Sequence, residues 1–261
     1  MSTKNLSPLR YPGGKTRAIK ILESYITNYY PSKKVILSPF FGGGSFELHM
    51  KTKGFIIKAN DLFLPLYTFW RVKQTDCDVL IQKIREKMPV SKNDFMNFRR
   101  TIMTSSDDYD KASSYFIINR SSFSGATLCG GFSQQSAEKR LTQSSIERLK
   151  LCDTSDIEFT NLDCITFLDR HPENDDAVIY ADPPYYIETY IYGKDGDIHE
   201  KFDHELFAKT ILQRSDWIIS YNDCEFIRNL YKDCRIFTEK WSYGMNASKK
   251  SSEIIILPPL L

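Results

Sequence analysis

The chain has no paired cysteines, no metal-like histidine spacing and no long apolar run. Its six cysteines, Cys77, Cys129, Cys152, Cys164, Cys224 and Cys234, are scattered without a C-x-x-C pair, and the four histidines, His49, His171, His199 and His204, contain no H-E-x-x-H. These absences exclude a zinc ribbon or a zinc-protease helix and argue against a disulfide framework; no metal site is expected, and the histidines read as surface or packing residues. No apolar run reaches about 18 residues and no signal-peptide pattern is present, so the expectation is an intracellular, soluble protein with reduced thiols. Strong charge of one sign is missing too. With 35 basic and 33 acidic residues the formal net charge is +2, and any contact with nucleic acid must come from a local basic face. There is no internal repeat and no low-complexity linker. A length of 261 residues with 41% hydrophobic content suits one large α/β core with a smaller appended lobe.

The apolar run Ala177-Val178-Ile179-Tyr180-Ala181 ends at Asp182-Pro183-Pro184-Tyr185-Tyr186. That is a buried strand opening into a loop at its carboxyl end, where open α/β sheets carry their chemistry. Two prolines fix φ near about −65° and remove two N–H donors, leaving a rigid acceptor-only cradle suited to an amino group. An exocyclic amine of a nucleobase is a poor nucleophile because its lone pair is delocalised. Acceptors on both N–H bonds, the Asp182 carboxylate and a proline carbonyl, would turn that lone pair towards an electrophile, with a tyrosine stacked on the base. The competing reading is a rigid turn after a strand.

Two earlier stretches carry the signature of a nucleoside-containing cofactor. Val35-Ile36-Leu37-Ser38-Pro39-Phe40-Phe41-Gly42-Gly43-Gly44-Ser45 reads as a strand, a triple glycine and a helix start, which brings backbone close to a ligand facing a helix N-terminus. Gly54 to Ala59 then reads as a second strand ending at Asn60-Asp61, where a carboxylate can accept from ribose hydroxyls. Each alone is equally a tight connection or a helix cap. Near the N-terminus, Tyr11-Pro12-Gly13-Gly14-Lys15-Thr16 leads into a helical pattern. It is not a phosphate loop, because Leu9 stands where the first glycine of G-x-x-x-x-G-K-[ST] is required. Lys15 by itself reads as a solvated first-turn residue.

Phe63 to about Lys87 reads as helical, Met88-Pro89 as a break, and Asp94 to Met103 as another helix. Between Arg99 and Lys150 the chain is rich in Arg and Lys and centres on the small, glycine-rich run Ser121 to Gln135, which reads either as a mobile loop meeting phosphates and base edges or as a solvated insertion. The sheet then resumes: Asp156 to Cys164 as a strand, with Asp163 accepting from an adenine amino group or capping the next helix. His204 to Leu212 reads as a helix, Trp217 to Asn222 as a strand, and Ile236–Trp241 with Ser252–Leu257 as a closing pair. Gly193 to Asp197 and Ser242 to Ser251 are expected to be mobile loops, one beside the site and one basic.

Tyr11-Pro12-Gly13-Gly14-Lys15, Pro39-Phe40-Phe41-Gly42-Gly43-Gly44-Ser45 and Asp182-Pro183-Pro184-Tyr185, in this order, resemble the three motifs of the Dam-like, D12-class (alpha group) DNA adenine-N6 methyltransferases. The last of them is that family's DPPY motif. The resemblance spans nearly the whole chain and implies a Rossmann-like α/β methyltransferase sheet (residues 1–62 and 151–261) with an inserted, mostly helical target-recognition domain and hairpin (63–150). It implies S-adenosylmethionine as cofactor, held by Tyr11, Pro12, Gly13, Gly14, Lys15, Phe40, Gly42, Gly43, Gly44, Ser45, Asp61, Asp163, Cys164 and Asp182. Catalysis would fall to Asp182, Pro183, Pro184 and Tyr185, acting on N6 of an adenine flipped from a short duplex sequence. Contacts to double-stranded DNA would come from Arg10, Asn119, Arg120, Ser124, Gln134, Lys139, Arg140, Tyr186, Lys249 and Lys250. Two departures stand out: Ser38 where many members have an acidic residue, and Cys164 where the family often has a phenylalanine that stacks on the cofactor adenine.

The resemblance further implies a protein without a membrane segment, monomeric or weakly dimeric, in the cytoplasm or at the nucleoid of a cell or of a virus's host. A partner restriction endonuclease acting on the same site fits a restriction-modification role. RNA methyltransferases and protein-glutamine methyltransferases share the catalytic tetrapeptide, and a non-catalytic binding module on a decayed scaffold is the alternative from another class.

Overall fold

The computed structural model describes residues 6–11, 13–186, 202–240 and 252–260. Its organising feature is a seven-stranded sheet built from runs of apolar, β-branched residues. The strands are β1 (Val35–Ser38), β2 (Ile56–Asn60), β3 (Glu158–Thr160), β4 (Ala177–Ala181), β5 (Trp217–Asn222), β6 (Arg235–Lys240) and β7 (Ser252–Leu257), in the spatial order β3-β2-β1-β4-β5-β7-β6. The first five are mutually parallel, and β7 runs antiparallel between β5 and β6. Parallel strands are covered on both faces and so lose the alternation of a half-exposed strand. Every residue of β4 is accordingly buried.

The chain starts at β1, runs outward through β2 and β3, and returns to the other side of β1 as β4, with Leu37 level with Ile179. This reversal is the crevice at which open α/β sheets bind ligands. It sets the loop after β1 beside the loop after β4, so the glycine stretch and Asp182 open on the same edge. Asn60, at the end of β2, ties the next loops together: its side chain donates to the carbonyls of Pro39 (3.1 Å) and Leu162 (2.9 Å) and accepts from Leu162 N (2.9 Å).

The helices begin where the local chemistry allows. α1 (Ile19–Tyr29) follows a 3-10 turn at Lys15–Arg17, and α2 (Ser45–Thr52) starts at Gly44. Between β2 and β3 come α3 (Leu64–Thr75), α4 (Cys77–Glu86), α5 (Lys92–Thr104), α6 (Asp108–Ser121), α7 (Gln134–Arg140) and α8 (Gln143–Leu151). α9 (Cys164–Asp169), α10 (His204–Ile211) and α11 (Glu225–Leu230) complete the second half. Phe63 to Lys87 is thus two helices, because Asp76 accepts from Val79 N at 3.1 Å and restarts the chain. The strand expected over Asp156 to Cys164 narrows to three residues.

In the basic middle, α6 is packed with every residue from Lys111 to Ser121 buried, and the run read as a loop, Ser121 to Gln135, holds only the 3-10 turn Phe123–Gly125 between α6 and α7. A helix enclosed on all sides has no polar face and so no amphipathic period to detect. Its buried serines are satisfied by a neighbour: Lys87 Nζ donates to Ser113 Oγ (2.8 Å), Ser114 Oγ (2.9 Å) and Asp110 Oδ1 (2.5 Å). One core cluster runs from Ile36 and Ile57 in the sheet through Phe69 and Trp70 to Phe116 and Ile118. The helical insertion therefore shares its apolar core with the sheet.

Gly44 has φ +63°, and a Cβ there would lie 2.5 Å from the Phe41 ring, which is itself wedged against Trp70 and Phe159. Gly44→Ala is expected to lower stability by about 1–3 kcal/mol, measured as a denaturant midpoint. An unchanged midpoint would show that the loop after β1 yields easily.

Candidate active site

Asp182 leaves β4 at its carboxyl end, and its carboxylate faces a lysine from the far N-terminus. Lys15 Nζ donates to Asp182 Oδ1 at 2.6 Å and Oδ2 at 2.7 Å, and also to Tyr185 OH (3.1 Å) and the Gly13 carbonyl (3.2 Å). At 4% exposure Lys15 is not the solvated residue its position suggests. Ser220, from β5, donates to Asp182 Oδ1 at 3.1 Å and lies 3.2 Å from Tyr180 OH. Tyr185 donates to Glu253 Oε1, and Glu253 Oε2 lies 3.8 Å from Lys15. Residues from the N-terminal turn, β4, β5 and β7 thus meet in one charged cluster. Pro183 is buried beside it.

The glycine stretch stands next to this cluster. A Cβ on Gly43 would meet Tyr11 Cβ at 2.7 Å and one on Gly42 the Tyr11 ring at 2.9 Å, so the tyrosine lies directly on the glycine backbone. Trp70 Nε1 donates to the Gly42 carbonyl at 3.0 Å, and Asp61 accepts from Gly42 N and Phe63 N, each at 2.9 Å. Gly14 N donates to the Tyr11 carbonyl at 3.0 Å. Ser45 is buried, with Thr16 Oγ1 3.3 Å away, and Phe40 packs edge-on against Phe202 and Phe207. Asp163 behaves as a cap for α9, accepting from Thr166 N at 2.9 Å and Thr166 Oγ1 at 2.5 Å. Its neighbour Cys164 is half-buried, and burial pushes its thiol up to about 12. Pro12 lies outside the described residues.

Three carboxyls here are pushed upward by loss of water: Glu47 to about 7, Glu253 to about 7 and Asp61 to about 6. Glu47, from α2, accepts from Ser38 Oγ at 2.7 Å, which offsets only part of the cost of burying it. Glu47, Ser220 and Glu253 had no role in the sequence reading. The available signal was Glu253 opening an apolar strand, in alternation with Ile255 and Leu257.

A family model for the D12 class N6 adenine-specific DNA methyltransferases matches residues 11–245. The chain belongs to this family. No curated protein sequence matches it. The protein is therefore an N6 adenine-specific DNA methyltransferase by family, a transferase whose substrate is DNA. The seven-stranded, mostly parallel sheet with flanking helices agrees with that assignment. No helix among the described residues is long and apolar enough to cross a membrane.

Several residues of the methyltransferase expected to touch DNA have other work. Asn119 is fully buried: it accepts from Arg10 N (2.9 Å) and donates to Arg10 O (2.8 Å), Gly125 O (3.3 Å) and Thr127 Oγ1 (3.2 Å). Arg120 is buried too, donating to the carbonyls of Arg140 (2.7 Å) and Pro8 (3.3 Å). Both hold the N-terminal segment against the insertion, because a buried main-chain carbonyl needs a donor. Tyr186 is clamped by Asn222 and stacks on Phe226 at 4.2 Å, so its ring belongs to an aromatic cluster. Gln134, Lys139 and Arg140 are exposed, with Gln134 donating to Glu138, and Ser124 sits at φ +60° in the short hairpin closed by the Ser122–Phe132 bridge. Arg10 donates to Ser122 O (3.3 Å) and Ser136 Oγ (3.4 Å), and burial with the nearby Arg140 lowers its pKa. Lys249, Lys250 and the two loops expected to be mobile, Gly193 to Asp197 and Ser242 to Ser251, lie outside the described residues.

The raised carboxyls have a consequence for stability. Each binds its proton more tightly folded than unfolded, so its contribution is complete below about 4 and is lost as pH rises through 6 to 7. His204, whose pKa burial lowers, acts in the opposite sense as a single group. The unfolding midpoint is expected to fall between pH 5 and pH 8, and Glu47→Gln to flatten that slope. A midpoint rising across this range would contradict the assignment.

Proposed function

We propose that the protein transfers a methyl group from S-adenosylmethionine to N6 of an adenine rotated out of a short duplex sequence. The observation that carries this reading is the meeting of Asp182 and the glycine loop at the sheet's reversal point. The cofactor is a cation with a ribose diol, and the residues at the strand ends fit such a group. Asp61 is a partly accessible carboxyl at the end of β2, suited to the diol. Tyr11, Phe40 and the backbone of Gly42 to Ser45 are the surfaces against which it would be held. When bound, it supplies a methyl group on an electrophilic sulfonium.

Asp182 then accepts one N–H of the adenine amine and a proline carbonyl of the motif accepts the other, so the nitrogen lone pair points at the incoming methyl. This is positioning together with preorganised acceptor dipoles, effects that carry large shares of enzymatic rate enhancement. The proton lost from the methylated amine leaves by way of Asp182, whose side chain is 22% exposed and in contact with water. The Tyr185 ring lies beside the carboxylate as a stacking surface; unstacking the base costs a few kcal/mol, offset by that contact. A reading as a decayed, non-catalytic scaffold is disfavoured, because Lys15, Asp182, Tyr185 and the glycine loop form one connected site.

DNA phosphates are matched by the face carrying Arg10, Lys139 and Arg140. Burial and the nearby Arg148, Arg10 and Arg140 lower the pKa of Arg120 to about 9, a mark of arginines gathered without counter-charge. No ion pair among the described residues includes Arg10, Arg120, Arg140 or Arg148. A restriction endonuclease acting on the same site is the partner a restriction-modification role would bring, and binding as a monomer suits a single site per chain.

Two experiments test the reading. Asp182→Ala is expected to lower turnover by at least a thousandfold while calorimetry still detects binding of cofactor and duplex; near-normal turnover would remove Asp182 from the reaction. Arg140→Ala is expected to weaken binding evenly across sequences and reduce the slope of log K against log salt by about 1. An unchanged slope would move the phosphate contacts elsewhere.

A further inference from the structure

The Lys15 ammonium occupies both oxygens of the carboxylate that must receive the adenine amine. At 4% exposure it has no route into water. Its other acceptors are the Gly13 carbonyl and Tyr185 OH, neutral groups that do not replace a carboxylate. Glu253 is the remaining one. It is 1% exposed; Oε1 accepts from Tyr185 OH, while Oε2 is one of two buried side-chain polar atoms among the described residues that lack a hydrogen bond. A buried carboxyl oxygen left without a hydrogen-bond partner is costly, and such atoms are rare in folded proteins. This one faces Lys15 Nζ from 3.8 Å.

We propose that Glu253 is a positioning residue that takes the Lys15 ammonium from Asp182 when the target amine arrives. A shift of about 1 Å brings the 3.8 Å contact to hydrogen-bond length. Asp182 is then an unencumbered acceptor, and the buried cation remains neutralised. The inference rests on the reading of Asp182 as the acceptor for adenine N6, and it adds a resting state in which the lysine guards that acceptor.

The groups facing Glu253 define its proton linkage. They are Lys15 from the N-terminal turn, Asp182 and Tyr185 from the loop after β4, and Tyr180 from β4. Glu239, level with it on β6, accepts from Tyr25 OH, and Asn222, level on β5, is bonded to the Tyr186 backbone. Burial holds the Glu253 carboxyl up near 7, and Lys15 at 3.8 Å offsets only part of that rise. With the cation against it, the ionised form is favoured and the proton is released.

The test uses full-length wild type and Glu253→Gln, with S-adenosylhomocysteine present during binding, on a duplex carrying a site that wild type methylates. Proton release on duplex binding is read by calorimetry at pH 7 in two buffers of different ionisation enthalpy, and kcat and KM are measured separately. The expected result is a fractional proton released by wild type and none by Glu253→Gln, whose kcat falls at least tenfold with KM within about twofold, and Glu253→Asp recovering part of the kcat. Glu253→Gln with wild-type kcat and wild-type proton release would overturn this inference and leave the catalytic role of Asp182 standing. Absence of proton release by wild type would overturn it without any variant. A wild-type protein that transfers no methyl group to DNA would overturn the role of Asp182, and this inference with it.

Discussion

The contact on which the site depends is the buried ion pair between Lys15 and Asp182, two residues separated by 167 positions. Burying an ammonium and a carboxylate costs several kcal/mol per ion, and their attraction recovers this only with good geometry and further hydrogen bonds. Here the geometry is bidentate, and Ser220, Tyr185 and the Gly13 carbonyl supply the further bonds. Such a pair is weak evidence for stability. Its position at the sheet's reversal point, where open α/β sheets bind ligands, fits the proposed role of Asp182 as the acceptor for the target amine.

Everything nearby keeps that pair in register. Parallel β1 and β4 bring the glycine loop and the Asp182 loop to one edge, and the Asn60 side chain stitches the loops after β1 and β3 together. The N-terminal segment carrying Lys15 would be free to wander without anchors. Asn119 and Arg120, buried in α6, bind the main chain of Arg10 and Pro8, and Arg148 donates to the Ser7 carbonyl at 2.7 Å. Helices inserted between β2 and β3 thereby position the lysine, so the helical insertion supports the crevice at the sheet's reversal point.

Much of this was legible in the chain itself. The apolar runs ending at Pro39, Asp61 and Asp182 mark strand ends, and parallel topology places strand ends together. What stayed hidden was hidden for physical reasons. α6 is enclosed by its neighbours and has no amphipathic period, so its pattern alone did not mark it as a helix. Arg and Asn types are the same whether they bind a phosphate or a main-chain carbonyl, and only burial separates Asn119 and Arg120 from Lys139 and Arg140. Asp163 showed the reverse case, where a cap and a ligand contact had equal standing and the cap is what the structure contains. Glu253 sits among isoleucines, and nothing local connects it with a lysine near the N-terminus.

The most direct test of the central claim is to incubate the purified protein with methyl-labelled S-adenosylmethionine and unmethylated genomic DNA, digest the DNA to nucleosides, and map the modified positions by sequencing. The account predicts label in N6-methyladenine, confined to one short motif. Label in RNA or protein with none in DNA, or N6-methyladenine scattered without a motif, would contradict it.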